Sequence, residues 1–354
     1  MTRKTALALL ALAMICRTLP ALETRDGSVR LTVDERNGRF SFQYLADPAK
    51  GSWVPLFYAE ETRTTYATIS VDGKTSRLGD SSEYRVTVSR NGSSITVEYR
   101  SALLVIRQVF TPLVPPGAAL ASGLAIEWKI ENVGARDARV GLRFLLDTSL
   151  GERSGIHFEL PSRGAVPGET VLEGAFSDDR VLSPGSTGTT LQVAFSGASV
   201  DTPDRVVLAN WKRLDDAAWM PETSAGRSFT LLPYSINDSA AALFWEPRPL
   251  ARGASLHFRT ALGTDATHDF GAYGAPGAAA AVTVAPPPAT DTTTPTPVPA
   301  GDAIMALRSD LAVVKSLIEL VDDLIASDEP DAAELARARE LLERLYARRS
   351  AYQE

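Results

Sequence analysis

From about Ser28 to Leu262 the chain alternates apolar and polar residues with a period of two. Val29, Leu31 and Val33 interleave with Ser28, Arg30, Thr32 and Asp34. The same rhythm runs through Phe40, Phe42 and Tyr44, through Tyr84, Val86 and Val88, and through Ile95, Val97 and Tyr99. It continues in Leu124, Ile126, Trp128 and Ile130, in Val140, Leu142, Phe144 and Leu146, and in Leu191, Val193 and Phe195. Alternation sends successive side chains to opposite faces of a strand. It predicts antiparallel sheets with one face packed and one face wet. Asn37-Gly38, Asp72-Gly73 and Asn91-Gly92 separate early runs and predict type I′ hairpins, because those dipeptides tolerate two successive positive φ angles. No useful stretch of helical period precedes residue 300. The expected class is mainly β, a large antiparallel β-sandwich of about fifteen strands. It is either one sandwich or two smaller ones with a seam at Pro112 to Gly123, where prolines and glycine break the pattern.

The rhythm stops near residue 270. Residues 271–301 hold four consecutive alanines, Pro286-Pro287-Pro288 and a Thr/Pro run, with few large apolar side chains. Such a composition does not bury enough surface to offset chain entropy, and reads as an extended, disordered linker. Residues 302–354 then change period. Ile304, Leu307, Leu311, Val314, Ile318, Val321 and Ile325 step by threes and fours, an a/d seam. Ser327 to Pro330 breaks it, and a second helical pattern carries Leu335, Ala338, Leu342, Leu345 and Tyr352. This predicts a helical hairpin or coiled-coil module. Two helices alone make a poor core, so the seam predicts self-association or a protein partner through residues 302–354.

At the other end, residues 1–21 read as a secretory signal: Arg3 and Lys4, an apolar run of 11 residues from Ala6 to Cys16, then Pro20-Ala21. The run is too short to span a bilayer, and no other apolar stretch is long enough. Cleavage before Leu22 leaves residues 22–270 as the β-sandwich domain. It also removes Cys16, the single cysteine, and with it any disulfide or thiolate chemistry. Ile15 spoils a lipobox before Cys16, which argues against lipidation. The expected location is periplasmic or extracellular. Net charge is −7 with no basic block, which argues against nucleic acid as a partner.

Chemistry is sparsely marked. The chain has no nucleophile elbow, zinc-protease helix, phosphate loop or dinucleotide fingerprint. His157 and Glu159 alternate in Ile156-His157-Phe158-Glu159-Leu160, and His257 sits in Leu256-His257-Phe258. These three are the weak acid/base candidates, against the plainer reading of a polar outer face. His268 precedes the linker and reads as solvated. Trp211 and Trp219 flank a charged stretch and are candidates for stacking on a sugar ring, or plugs of the sandwich. The pairs Asp178-Asp179 and Asp215-Asp216 lack the density of oxygen ligands that calcium wants. No metal and no cofactor is expected. Trp128 and Trp245 read as core.

Two stretches carry a resemblance. Val140-Gly141-Leu142-Arg143-Phe144-Leu145-Leu146-Asp147-Thr148-Ser149-Leu150-Gly151 is one. Asp238-Ser239-Ala240-Ala241-Ala242-Leu243-Phe244-Trp245-Glu246-Pro247, followed by Leu250 and Gly253, is the other. They resemble a family of secreted bacterial β-domains of unknown function, over residues 120 to 265. The resemblance implies a large super-sandwich of the galactose-mutarotase type. Where that family runs into Asn-Asp-Gly and Pro-Phe, this chain has Glu152-Arg153-Ser154-Gly155-Ile156-His157-Phe158, which weakens any shared loop function. No catalytic residue is implied. The sequence therefore points first to a non-enzymatic structural or binding module of the envelope with a tethered helical segment. The alternative is a carbohydrate-binding protein or carbohydrate-active enzyme on the same sandwich.

Overall fold

The computed structural model describes residues 21–58, 62–115, 118–185 and 188–272. The expectations for the leader, the linker and the seam residues Ile304 to Ile325 lie outside the described residues. The strands are β1 (Ala21–Asp26), β2 (Val29–Asp34), β3 (Phe40–Asp47), β4 (Ser52–Pro55), β5 (Tyr66–Val71), β6 (Lys74–Arg77), β7 (Arg85–Asn91), β8 (Ser94–Arg100), β9 (Leu104–Leu113) and β10 (Gly123–Asn132). They continue as β11 (Ala138–Asp147), β12 (Phe158–Leu160), β13 (Gly164–Val166), β14 (Thr170–Glu173), β15 (Arg180–Pro184), β16 (Thr190–Ala194), β17 (Arg205–Asn210), β18 (Ser239–Leu250) and β19 (Ser255–Gly263). Among the described residues two short α-helices interrupt them, α1 (Leu150–Ser154) and α2 (Trp211–Asp216).

All pairings are antiparallel. A nine-stranded sheet runs β13-β12-β15-β16-β19-β10-β9-β8-β7, and a six-stranded sheet runs β14-β17-β18-β11-β5-β6. A four-stranded sheet, β1-β2-β3-β4, adds Val29, Leu31, Val33, Phe40 and Phe42 to the same core. Trp128 of β10 meets Phe144 of β11 at 4.8 Å and Trp245 of β18 at 6.0 Å, so the two large sheets pack face to face. Phe40 of β3 lies 4.7 Å from Phe110 and 6.3 Å from Phe144, which ties the small sheet to both. Nineteen strands stand among the described residues where about fifteen were expected, because β4, β6, β12, β13 and β14 have only three or four residues each, too few to show a period. The proposed seam at Pro112 to Gly123 is a connection within one sheet: β9 and β10 flank it as hydrogen-bonded neighbours, Gly123 opposite Leu113.

Of the three turn dipeptides, only Asp72-Gly73 has both residues at positive φ, 51° and 88°, as a type I′ turn requires. Gly38 and Gly92 take positive φ alone. The first closes a longer loop between Val33 and its partner Phe40, and the second begins the loop between Asn91 and its partner Ser94. The two α-helices are each under two turns, shorter than any window that reveals a helical period. No described helix is long and apolar enough to cross a membrane.

Candidate functional site

Strand β11 is buried on both faces, although its sequence alternates cleanly at even positions. Leu142, Phe144 and Leu146 face the main core, while Leu145 joins Tyr66, Val207, Ala209, Ala240, Ala242 and Phe244 on the opposite face. That outer face is closed by α2 and the residues after it. Asn210 ends β17 and caps α2, its Oδ1 accepting from the Arg213 amide at 3.3 Å. Leu214 packs down on the sheet, with Trp211, Trp219 and Met220 beside it. Arg143 pins this cover. Its guanidinium is 1% exposed and donates through Nη1 to the carbonyls of Leu214, Ala217 and Trp219 at 3.3, 2.9 and 2.9 Å. Burial lowers its pKa from the ordinary arginine value. Next to it the Tyr66 hydroxyl donates to Asp215 Oδ1 at 2.7 Å, and the guanidinium groups of Arg39 and Arg77 lie over the Tyr66 ring, at 4.7 and 4.8 Å.

At the end of this sheet three carboxyl groups converge. Asp147 closes β11, Glu152 sits in α1, and Asp238 directly precedes β18. One oxygen from each lies within 4.8 Å of the others. The convergence follows from local geometry. The chain leaves β11 through Thr148, whose hydroxyl donates to Ser239 O at 3.1 Å. It then makes the single turn of α1, which Gly155 ends at φ 80°. Glu152 Oε1 there accepts from the Ser239 amide at 2.8 Å. Burial is the largest influence on all three. It pushes Asp147 up to about 7, opposed by a hydrogen bond from Thr64 and reinforced by the charges of Asp238, Glu152 and Asp215. Burial pushes Glu152 up to about 7 against its bond to Ser239, and raises Asp238 against a hydrogen bond from Ser235. Three oxygens with these affinities suit a shared proton, a general acid, or a hard cation.

The expected site residues do not converge: His157 and Glu159 are neighbours in the chain, and His257 lies three strands away from Glu159. His157 precedes β12 and stacks on Phe229 at 4.5 Å, its pKa lowered by burial. Ile156, expected on an inward strand face, is 39% exposed because β12 starts two residues later. Glu159 stands on β12, three strands away from β19. His257 lies on β19, opposite Lys129, with Nδ1 3.6 Å from Glu127 Oε1. The pairings Glu159–Leu182, Leu182–Gln192 and Gln192–Gly263 place His257 six residues further along its strand. Strand spacing and rise then separate Glu159 from His257 by about 25 Å. Trp211 donates from Nε1 to Thr64 O at 2.9 Å, and Trp219 from Nε1 to Glu246 Oε2 at 3.2 Å while packing edge-on against Phe244 at 5.8 Å. His268 is partly buried, its Nδ1 3.0 Å from both Asp265 oxygens. Trp128 and Trp245 are core, 0% and 1% exposed.

The triad was not anticipated as a site. The only signal was positional: Asp147 lies inside one of the two resemblance motifs, and Asp238 opens the other.

The architecture is a large antiparallel β-sandwich of a nine-stranded and a six-stranded sheet, with a four-stranded sheet on the same core. No family model matches the chain, and no curated protein matches it significantly. Solved structures do. A galactose mutarotase-like protein from Lactobacillus casei is 12% identical, covering 69% of this chain and 99% of its own, with a TM-score of 0.42. The aldose epimerase homologue from C. elegans is 10% identical, covering 69% and 98%, with a TM-score of 0.45. A putative aldose 1-epimerase from Escherichia coli is 11% identical, covering 70% and 99%, with a TM-score of 0.41. The likeness concerns the fold.

Proposed function

We propose that this chain is an exported protein of the bacterial envelope, periplasmic or extracellular, and a non-enzymatic binding or structural module. Its β-body is the recognition or structural head. Residues 302–354 are a tethered assembly segment that pairs with a second copy or with helices of another protein. One observation carries the proposal: His257 stands about 25 Å from Glu159 across the nine-stranded sheet while His157 packs on Phe229, so the three acid/base candidates do not converge on one substrate. The apolar leader and the unbroken seam from Ile304 to Ile325 support the export and assembly parts. Light scattering on the full chain tests it. The wild type is expected to exceed the mass of a Leu307→Asp/Val314→Asp/Val321→Asp variant, or to retain a helical partner that the variant loses. Equal monomer masses with no retained partner would overturn the assembly role.

The triad supports a second reading, a carbohydrate-active enzyme. A carboxyl held near 7 is what a general acid requires at neutral pH. Glu152, partly open to solvent, would be the proton donor and Asp238 its companion. Interconversion of free aldose anomers, followed by magnetisation transfer and lost in Glu152→Gln, would favour it; rates equal to buffer alone would remove it.

A further inference from the structure

The hairpin between Phe229 and Asp238 presents the three most exposed large apolar side chains among the described residues. Leu232, Tyr234 and Ile236 are 70, 73 and 71% exposed, at alternate positions. This display is built. Leu231 and Ser235 exchange two backbone hydrogen bonds of 2.9 Å, and the Asp238 amide donates to Phe229 O at 3.0 Å. Thr230 Oγ1 accepts from the Asn237 amide at 3.0 Å. From below, the buried Asn210 donates through Nδ2 to Phe229 O, Ser235 Oγ and Asp238 O at 2.8, 2.9 and 3.0 Å. Phe229 anchors the base at 3% exposure. A laced hairpin that points apolar groups at water is a surface with a use.

Its surroundings define the partner. Ser235 bonds the Asp238 carboxyl, so the hairpin stands against the triad, where Glu152 and Asp238 are only partly buried. Above about pH 7, where Glu152 ionises, an anionic bilayer would meet these groups as like charge. A second copy docking the same face across a two-fold axis would place triad against triad. We propose that this hairpin and the two carboxylates together dock a basic amphipathic segment of another protein, its apolar side chains on Leu232, Tyr234 and Ile236 and its Lys or Arg on Glu152 and Asp238. The inference deepens the binding-module reading and rests on it.

The test uses the full chain at pH 8, above the raised value of Glu152, and labelled synthetic peptides, one alternating leucine with lysine and one alternating leucine with glutamate, read by fluorescence anisotropy. The lysine peptide is expected to bind about tenfold tighter or better than the glutamate peptide, as complementary charge requires. Leu232→Ser/Tyr234→Ser/Ile236→Ser and, separately, Glu152→Gln/Asp238→Asn are each expected to weaken it about tenfold. Tyr234→Ser alone stands in for the triple change if circular dichroism shows that variant misfolded. Binding that survives both sets of changes reports only the diffuse field of a −7 chain and overturns the proposal. So does preference for the glutamate peptide, capture by phosphatidylglycerol vesicles instead of peptide, or no binding. In each of those cases a seam-dependent mass in light scattering would leave the assembly module standing.

Discussion

The carboxyl triad makes stability depend on pH in a direction opposite to that of most paired carboxylates. Asp147 is 4% exposed, and its folded pKa rises from 3.8 to about 7. Between those values the folded chain holds a proton that the unfolded chain has released. Stability therefore falls as pH rises through this window, and the loss is complete above the folded pKa. At about 1.4 kcal/mol per pKa unit, the Asp147 shift sets an upper limit of about 4 kcal/mol. Relaxation and water entry on ionisation bring the expected loss to about 1–3 kcal/mol. Glu152, raised to about 7 beside it, acts with the same sign, though its partial exposure shrinks its share. Urea unfolding at pH 5 and pH 8, on wild type and on Asp147→Asn, measures the term. Asparagine keeps the shape and cannot ionise, so its stability should change less between the two pH values, by about 1–3 kcal/mol. If wild type and Asp147→Asn show the same pH dependence, the convergence of buried carboxyls does not govern stability and the argument fails.

Other changes probe the supports of the site. Arg143→Met leaves the carbonyls of Leu214, Ala217 and Trp219 without their shared donor, and should cost about 2–4 kcal/mol in chemical unfolding. Trp211 and Trp219 should become more accessible to a fluorescence quencher in that variant. Asn210→Ala removes both the α2 cap and the three donations that hold the hairpin, for about 2–3 kcal/mol by the same assay. Gly263→Ala puts a Cβ into the ring of Phe270, which lies over Gly263 and Gly123, and should cost about 1–3 kcal/mol of overpacking. The Phe270 ring must move, so methyl resonances of Leu113, Ala194 and Val200 around it should shift.

The fold was legible because period-two alternation encodes one fact well, which face a residue takes. Leu124, Ile126, Trp128 and Ile130 read as one inward face, and all four are fully buried. Alternation does not say whether the other face stays wet. On β11 that face carries Leu145 and Arg143, and α2 covers it. The cover is six residues long, held by an asparagine cap and a buried guanidinium instead of an amphipathic stripe, so no periodic signal existed to find. Strand β12 failed for a related reason. Three residues cannot show a period, and the helical turn before it moves Ile156 out to solvent.

Sites are harder because they depend on distances between chain segments that a one-dimensional pattern does not carry. His157, Glu159 and His257 looked alike, polar groups alternating with apolar ones, yet pairing order sets His257 three strands from Glu159. Asp147, Glu152 and Asp238 looked unrelated, scattered over ninety-two positions. They meet because β11 and β18 are neighbours in register, with Asp147 opposite Ala240, so the last residue of one strand and the residue before the other share an end of the sheet. Once that pairing is known, the single turn of α1 has one direction in which to place Glu152, back over Ser239. Pairing order decides which polar residues can cooperate, and here it moves the candidate chemistry from the outer face of the nine-stranded sheet to the end of the six-stranded one.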